Sequence, residues 1–236
     1  MLEVKNVSKK YPGSANYAIE NINLEIAEGD IYGFIGPNGS GKSTTIKSIV
    51  GIHNFEGEIL FNGLSIESDP IKFKSELAYI PDNPVLYEHL TGLEYINFIL
   101  NIFGVKENKM DEINKLADMF SLGNKLLDPI SSYSHGMKQK ISLIAALVHN
   151  PKLLVLDEPF VGLDPKATYE LKELLKEKCA NEGLIVFFSS HVLDVVEKFC
   201  NKIAIIKNGK IIESGDTNVV KGEGSLEDKF MEIFND

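Results

Sequence analysis

Hydrophobic positions along the chain follow two different periods. Between Ala18 and Ile26 the apolar residues Ile22, Leu24 and Ile26 recur every second position, the spacing of a strand with one buried face. Leu2 to Val7 reads as an earlier strand, and Asp30 to Ile35 as a short apolar strand running into a glycine-rich turn. A helix is predicted from about Lys42 to Val50, then strands over Glu58 to Asn62 and Leu77 to Ile80. From about Tyr87 to His149 the period lengthens to that of a helix. Thr91 is placed to cap a helix with Ile96, Ile99, Leu100 and Phe103 on one face. A second helix covers Met110 to Phe120, and a third begins near Gly136. Strands return at Leu153 to Leu156, Ile185 to Phe188 and Ile203 to Ile206, separated by helices of about Ala167 to Ala180 and Val192 to Phe199.

Strands alternating with helices imply a mainly parallel sheet. The expected fold class is α/β, with an antiparallel β portion at the N-terminus and an inserted helical subdomain. The expected organisation is a single domain over 1–236, with an α/β core from 1–86 and 150–236 and the helical insertion over 87–149. Asn208-Gly209 is a strong hairpin turn, and Ser225 to Asp228 offers a capping box for a terminal helix.

Composition narrows the class. Hydrophobic residues make up 44% and charged residues 25%, which excludes global disorder. The net charge of −10 argues against nucleic acid as a partner, because such binding relies on basic footprints. The two cysteines, Cys179 and Cys200, are far apart and form no C-x-x-C, so neither a disulfide scaffold nor a cysteine-rich zinc site is expected. No apolar run approaches the roughly 20 residues of a membrane span. The first residues lack a signal-peptide pattern, so work at a membrane is expected to go through a partner.

Gly36-Pro37-Asn38-Gly39-Ser40-Gly41-Lys42-Ser43-Thr44 fits G-x-x-x-x-G-K-[ST], with an apolar strand before it and a helix after. A turn around a polyphosphate needs backbone N–H groups pointing inward, and glycine permits the dihedrals and the close approach. The helix start adds free N–H groups and the positive end of a dipole. Lys42 contributes a point charge at the β- and γ-phosphates, and the Ser43 hydroxyl can ligate Mg²⁺. The class is therefore P-loop NTPase.

Leu153 to Leu156 is an apolar strand ending in Asp157 and Glu158. Ligands of parallel sheets bind beyond the carboxyl ends of the strands. Asp157 is expected to hold the Mg²⁺ shell, and Glu158 to orient or deprotonate a water on the γ-phosphate side. Adjacent carboxylates repel, so a divalent cation or a shared proton would stabilise the pair.

Further motifs follow in fixed order, and with them the chain resembles the ATP-binding subunits of ABC transporters over essentially its full length. Tyr133-Ser134-His135-Gly136-Met137 stands where that family carries its Leu-Ser-Gly-Gly-Gln signature. Gly162-Leu163-Asp164 matches the D-loop, His191 the switch histidine, and Tyr11 the aromatic residue that stacks on adenine. The resemblance implies ATP and Mg²⁺ as cofactors, and head-to-tail pairing with a second ATPase subunit, identical or related. Each ATP would lie between one P-loop and the other protomer's signature, Ser134, His135 and Gly136, with Asp164 of the D-loop also counted among the nucleotide-site residues. It also implies a polytopic membrane permease as partner and a place on the cytoplasmic face of the membrane. The helix around Ile96 to Phe103 and the loop Asp82 to Tyr87 would border the groove for the permease, although most of those apolar residues read as core.

Two departures narrow the group. Ile80-Pro81-Asp82-Asn83-Pro84 places Asp82 where the family has Gln; the carboxylate keeps an oxygen for metal or water but adds a charge, and Asn83 is a weaker candidate for that role. The signature has Tyr for Leu, His for the first Gly and Met for Gln. Both departures, and the tail from Ser225 to Phe230, resemble the ATPases of the ABC-2 type exporters of drugs, antibiotics, peptides or lipids. No regulatory domain of the sugar-importer kind is expected after that tail, so export is expected over import.

Other classes fit less well. A GTP switch needs Asn-Lys-x-Asp, and Asn114 to Asp118 and Asn124 to Asp128 are each one residue too long. The interval from Lys42 to Asp157 cannot hold the long coiled coil of chromosome-maintenance ATPases, and translation-type relatives usually carry two cassettes in one chain.

Overall fold

A computed structural model describes residues 1–235. The chain forms β1 (Leu2–Lys10), β2 (Tyr17–Ile26), β3 (Ile31–Ile35), α1 (Lys42–Ile49), β4 (Glu56–Phe61), β5 (Leu64–Ser65), α2 (Pro70–Ser75) and β6 (Leu77–Ile80). The helices α3 (Gly92–Ile102), α4 (Met110–Met119) and α5 (His135–Val148) follow. The chain then runs through β7 (Leu153–Asp157), α6 (Pro165–Glu182), β8 (Ile185–Ser190), α7 (Leu193–Phe199), β9 (Lys202–Lys207), β10 (Lys210–Asp216), α8 (Thr217–Lys221) and α9 (Leu226–Asn235).

The strands make two sheets. One is four-stranded and antiparallel, in the order β2-β1-β4-β5. The other is six-stranded, in the order β10-β9-β3-β8-β7-β6. It is parallel except for β10, which pairs with β9 through the Asn208-Gly209 hairpin. Both turn residues have positive φ, 51° and 77°, as a tight hairpin of the right twist requires.

Period-two alternation sorts the large sheet onto two cores. Leu154, Leu156, Val186 and Phe188 join a cluster with the helices, including Ile96, Leu116 and Leu143. Leu153, Val155, Ile185 and Phe187 face the other way, onto α1 and the antiparallel sheet, with Ile46, Ile22 and Phe61. Burial on both faces explains the unbroken apolar runs of β7 and β8.

Local chemistry sets the helix ends. Thr91 and Glu94 form a reciprocal capping box at α3. Ser225 and Asp228 do the same ahead of α9, with the Asp228 amide donating to Ser225 Oγ at 3.1 Å. Helix α6 starts at Pro165 rather than near Ala167, because Asp164 accepts the Ala167 amide at 2.9 Å and proline suits the first helical position. Helix α5 starts at His135, one residue before the expected Gly136, because Ser134 is the cap. Helix α2 was not anticipated; Asp69 caps it through the Lys72 amide and Pro70 opens it. No helix among the described residues is long and apolar enough to cross a membrane.

Candidate functional site

A cleft of about 750 Å³ opens at the carboxyl ends of β3 and β7. The loop after β3 forms its floor through Asn38, Gly39, Gly41, Lys42, Ser43 and Thr44. Gly41 has φ of 114°, and a side chain there would meet Ile19 at 2.8 Å and the Ala18 carbonyl at 3.0 Å. At Gly36 a Cβ would meet the Ile206 carbonyl at 2.4 Å and Ser40 Oγ at 2.6 Å. These two glycines let the loop lie flat on its surroundings. Helix α1 starts at Lys42, and the amides of its first turn have no intrahelical acceptor.

Lys42 is buried, and Nζ donates to the carbonyls of Gly36 at 2.7 Å and Pro37 at 3.1 Å. Burial lowers its pKa, and Glu158 and Asp157 partly restore it. Ser40 Oγ is buried with no partner, a donor aimed at nothing within the chain.

Strand β8 separates β3 from β7, so the acidic pair is not on the strand next to the P-loop. Both nevertheless reach the cleft, where Asp157 and Glu158 line the wall with Asp82. Ser189 on β8 organises them. Its Oγ donates to Asp157 Oδ1 at 2.5 Å and accepts the Glu158 amide at 3.1 Å. Glu158 adopts φ of 52°, a left-handed conformation that costs a non-glycine residue about 1–3 kcal/mol and concentrates at functional sites. That turn aims its carboxylate at His191, with Nδ1 to Oε2 at 3.0 Å. The His191 side chain is more than half exposed.

The oxygens of Ser43, Asp157 and Asp82 share this one cleft. No cluster of three or more His, Cys, Asp or Glu among the described residues could hold a metal alone. Hard oxygen donors in small number suit Mg²⁺, which keeps its waters and binds through one or two carboxylates plus phosphate oxygens. Tyr79 stands near Asp157 and Asp82, with a buried hydroxyl that has no partner. Burial first, then those carboxylates, push its pKa up to about 12.

Other expected residues lie outside the cleft. Tyr11 is beside it, with Oη 3.3 Å from Thr44 Oγ1 and its ring edge-on to His53 at 5.4 Å. Asn83 lines a separate hollow with His135 and Lys138. Ser134, His135, Gly136 and Asp164 do not line the cleft of their own chain. A Cβ on Gly136 would meet the Gly162 carbonyl at 2.6 Å, so this loop packs on the turn after β7. Lys140 holds Asp164 at 2.6 Å and lowers its pKa, with the Ala167 amide adding to the effect.

The tyrosine in place of leucine has a physical explanation. Tyr133 is buried, and its hydroxyl donates to the Lys125 carbonyl at 2.6 Å. The hydroxyl lies only 2.4 Å from where a Cβ on Gly92 would stand. Glycine at the start of α3 makes the room that the larger ring needs.

Sequence reasoning missed Ser189, which pairs with Asp157 in the β7–β8 register and shows no motif of its own. It also missed the wall made by Ala18, Tyr17 and the Asn208-Gly209 turn. Only the hairpin signal of Asn208-Gly209 was readable, without its place beside the P-loop.

A sequence model of the ABC transporter family matches residues 19–161. The chain is 34% identical over 231 residues to the lantibiotic transport ATP-binding protein SrtF of Streptococcus pyogenes, covering 98% of this chain and 96% of that one. A solved ATP-binding subunit of an ABC transporter superposes with a TM-score of 0.93 at 33% identity, over 99% of both chains. A dimeric ATP-binding cassette in a post-hydrolysis state with ADP and phosphate superposes with a TM-score of 0.82 at 25% identity, over 92% of this chain and 99% of that one.

Proposed function

The chain belongs to the ABC transporter family as an ATP-binding subunit with ATPase chemistry, and from that premise we propose how its residues divide the work and that it serves export. The carrying observation is the convergence of Lys42, Ser43, Asp157 and Glu158 on one cleft, with His191 held 3.0 Å from Glu158.

Lys42 and the P-loop amides neutralise the phosphates; Lys42 would exchange its two carbonyl partners for phosphate oxygens. Ser43 and Asp157 hold Mg²⁺, with Asp82 supplying an oxygen where the family uses Gln. The metal supplies charge neutralisation at the phosphate oxygens. Glu158 orients or activates the attacking water, and His191 fixes the Glu158 carboxylate. Phosphoryl transfer needs positioning and electrostatic stabilisation more than covalent chemistry, so these groups suffice. Tyr11 is the adenine platform at the edge of the cleft.

Ser134, His135 and Gly136 act on the nucleotide of a second protomer. Their helix start is an anion site, and their position outside the cleft of their own chain supports a role in trans. Asp164, clamped by Lys140, shapes the same dimer surface. ATP is the contact that differs between open and closed pairs, as a ligand-driven switch requires.

A membrane subunit docks beside the loop Asp82 to Tyr87. An apolar hollow of about 220 Å³ lies there, lined by Pro84, Leu86, Tyr95, Ile99, Phe103 and His149. Val85 at its rim is 95% exposed. Ile96 and Leu100 of the same helix are core instead. Attachment to such a subunit places the chain on the cytoplasmic face of a membrane. The likeness to a lantibiotic transport subunit supports export. Purification of the tagged chain in mild detergent is expected to recover a polytopic membrane protein, and Val85→Asp to release it. Recovery of none, from cells that express the chain normally, would shift the reading to an ATPase outside transport.

A further inference from the structure

The turn between β9 and β10 is a wall of the cleft that no nucleotide motif accounts for. Its Gly209 amide donates to the carbonyl of Ser40 in the P-loop at 2.8 Å. The Gly209 carbonyl accepts from the Glu20 amide at 2.8 Å. A Cβ on Gly209 would meet the Ala18 carbonyl at 2.7 Å, so the turn is wedged between the P-loop and β2. Lys210 adds an exposed ion pair to Glu20 at 3.0 Å.

The residue before the turn faces the other way. Lys207 Nζ donates to the carbonyl of Ile233 in α9 at 2.7 Å and lies 5.2 Å from the centre of the Phe234 ring. Helix α9 is itself well anchored. Leu226 is fully buried, and Phe230, Ile233 and Phe234 pack on the core cluster. The Leu226 amide donates to Glu197 Oε2 at 2.8 Å, and Glu197 belongs to α7, the helix that follows His191. Lys229 pairs with Glu213 of β10 at 3.1 Å. The terminal helix therefore ties together the element after His191 and the turn that abuts the P-loop.

We propose that Lys207 is a positioning residue for nucleotide binding: α9 grips its ammonium, and through it holds the Asn208-Gly209 turn against the P-loop. The proposal rests on the cleft being the nucleotide site. A charged donor to a half-buried carbonyl fixes the end of β9 more tightly than a neutral contact does. Loosening it lets the turn withdraw from Ser40, and the loop then pays an ordering cost when nucleotide binds.

The test is ATP binding by the full chain, measured by calorimetry in magnesium for Lys207→Met, Lys207→Arg and Phe234→Ala, with Lys42→Ala as control. Lys207→Met is expected to raise Kd about fivefold, which is about 1 kcal/mol where 1.4 kcal/mol is tenfold. Lys207→Arg recovers most of the affinity, because it keeps charge and donors. KM for ATP rises with Kd while kcat holds, and hydrogen exchange at the Gly209 amide speeds up. Phe234→Ala leaves β9 and its turn unaltered in sequence and shifts Kd in the same direction, less than additively with Lys207→Met. Unchanged Kd and unchanged Gly209 exchange in folded Lys207→Met, while Lys42→Ala abolishes binding, would overturn the brace alone. Undiminished binding by Lys42→Ala would instead overturn the cleft reading beneath it.

Discussion

Ser189→Ala removes the group that joins the Asp157 carboxylate to the Glu158 backbone amide. Ser189 is fully buried, donates to Asp157 Oδ1 at 2.5 Å and accepts the Glu158 amide at 3.1 Å. Loss of a hydrogen bond to a charged group costs about 1.5–3 kcal/mol, and leaving a buried amide unpaired adds about 1 kcal/mol or more. Water entering from the cleft recovers part of this, so a destabilisation of about 3 kcal/mol is expected. The neighbouring Ser190→Ala is the internal control. Ser190 is also buried, but it accepts only the Val192 amide, at 3.0 Å, which predicts about 1 kcal/mol. Urea denaturation of both variants, with m unchanged, reads the difference directly. A cost for Ser189→Ala no greater than that for Ser190→Ala would refute the claim that Ser189 organises the acidic pair.

Two other outcomes follow from packing and from burial. Gly92→Ala is expected to cost about 1–3 kcal/mol, because its Cβ would press on the Tyr133 hydroxyl. Tyr133→Leu should suppress that cost in the double variant, and strict additivity in denaturation would contradict the account of the tyrosine. His149 stacks on Phe103 with centroids 3.8 Å apart, and burial lowers its pKa from 6.5 to about 4. Its folded pKa lies below the unfolded one, so the unfolded chain binds more protons between these values. Stability is therefore full above about pH 6.5 and falls as pH drops toward about 4. His149→Phe should flatten that part of a denaturation-midpoint profile, and an unaltered slope would count against it.

The parts legible in the sequence are those whose cause is local. The P-loop glycines declare a backbone requirement, and Gly36 and Gly41 meet the contacts that demand it. Apolar runs ending in Asp157 mark a strand buried on both faces, and β7 is buried throughout. Helix caps at Thr91 and Ser225 are local as well. Ser189 was not legible, because its role arises only when β8 inserts between β3 and β7. The wall at Asn208-Gly209 is likewise a long-range product of the β10–β9–β3 order. The short α2 was missed although Asp69-Pro70 is a cap signal, since six residues carry too little periodicity to register. Gly92 shows the reverse case: its purpose depends on the hydroxyl of Tyr133, far along the chain.

The central claim is that one cleft binds ATP, hydrolyses it through Glu158, and closes a pair of protomers while ATP is held. Glu158→Gln tests all three together, because glutamine keeps the size of the side chain and removes its basicity. Sedimentation of the variant with and without ATP and magnesium, beside a phosphate-release assay, is the measurement. The account predicts retained ATP binding, a nucleotide-dependent shift from monomer to dimer, and turnover reduced by about 10²-fold or more. Turnover at the level of the unaltered chain, or bound ATP with no change in association, would contradict it.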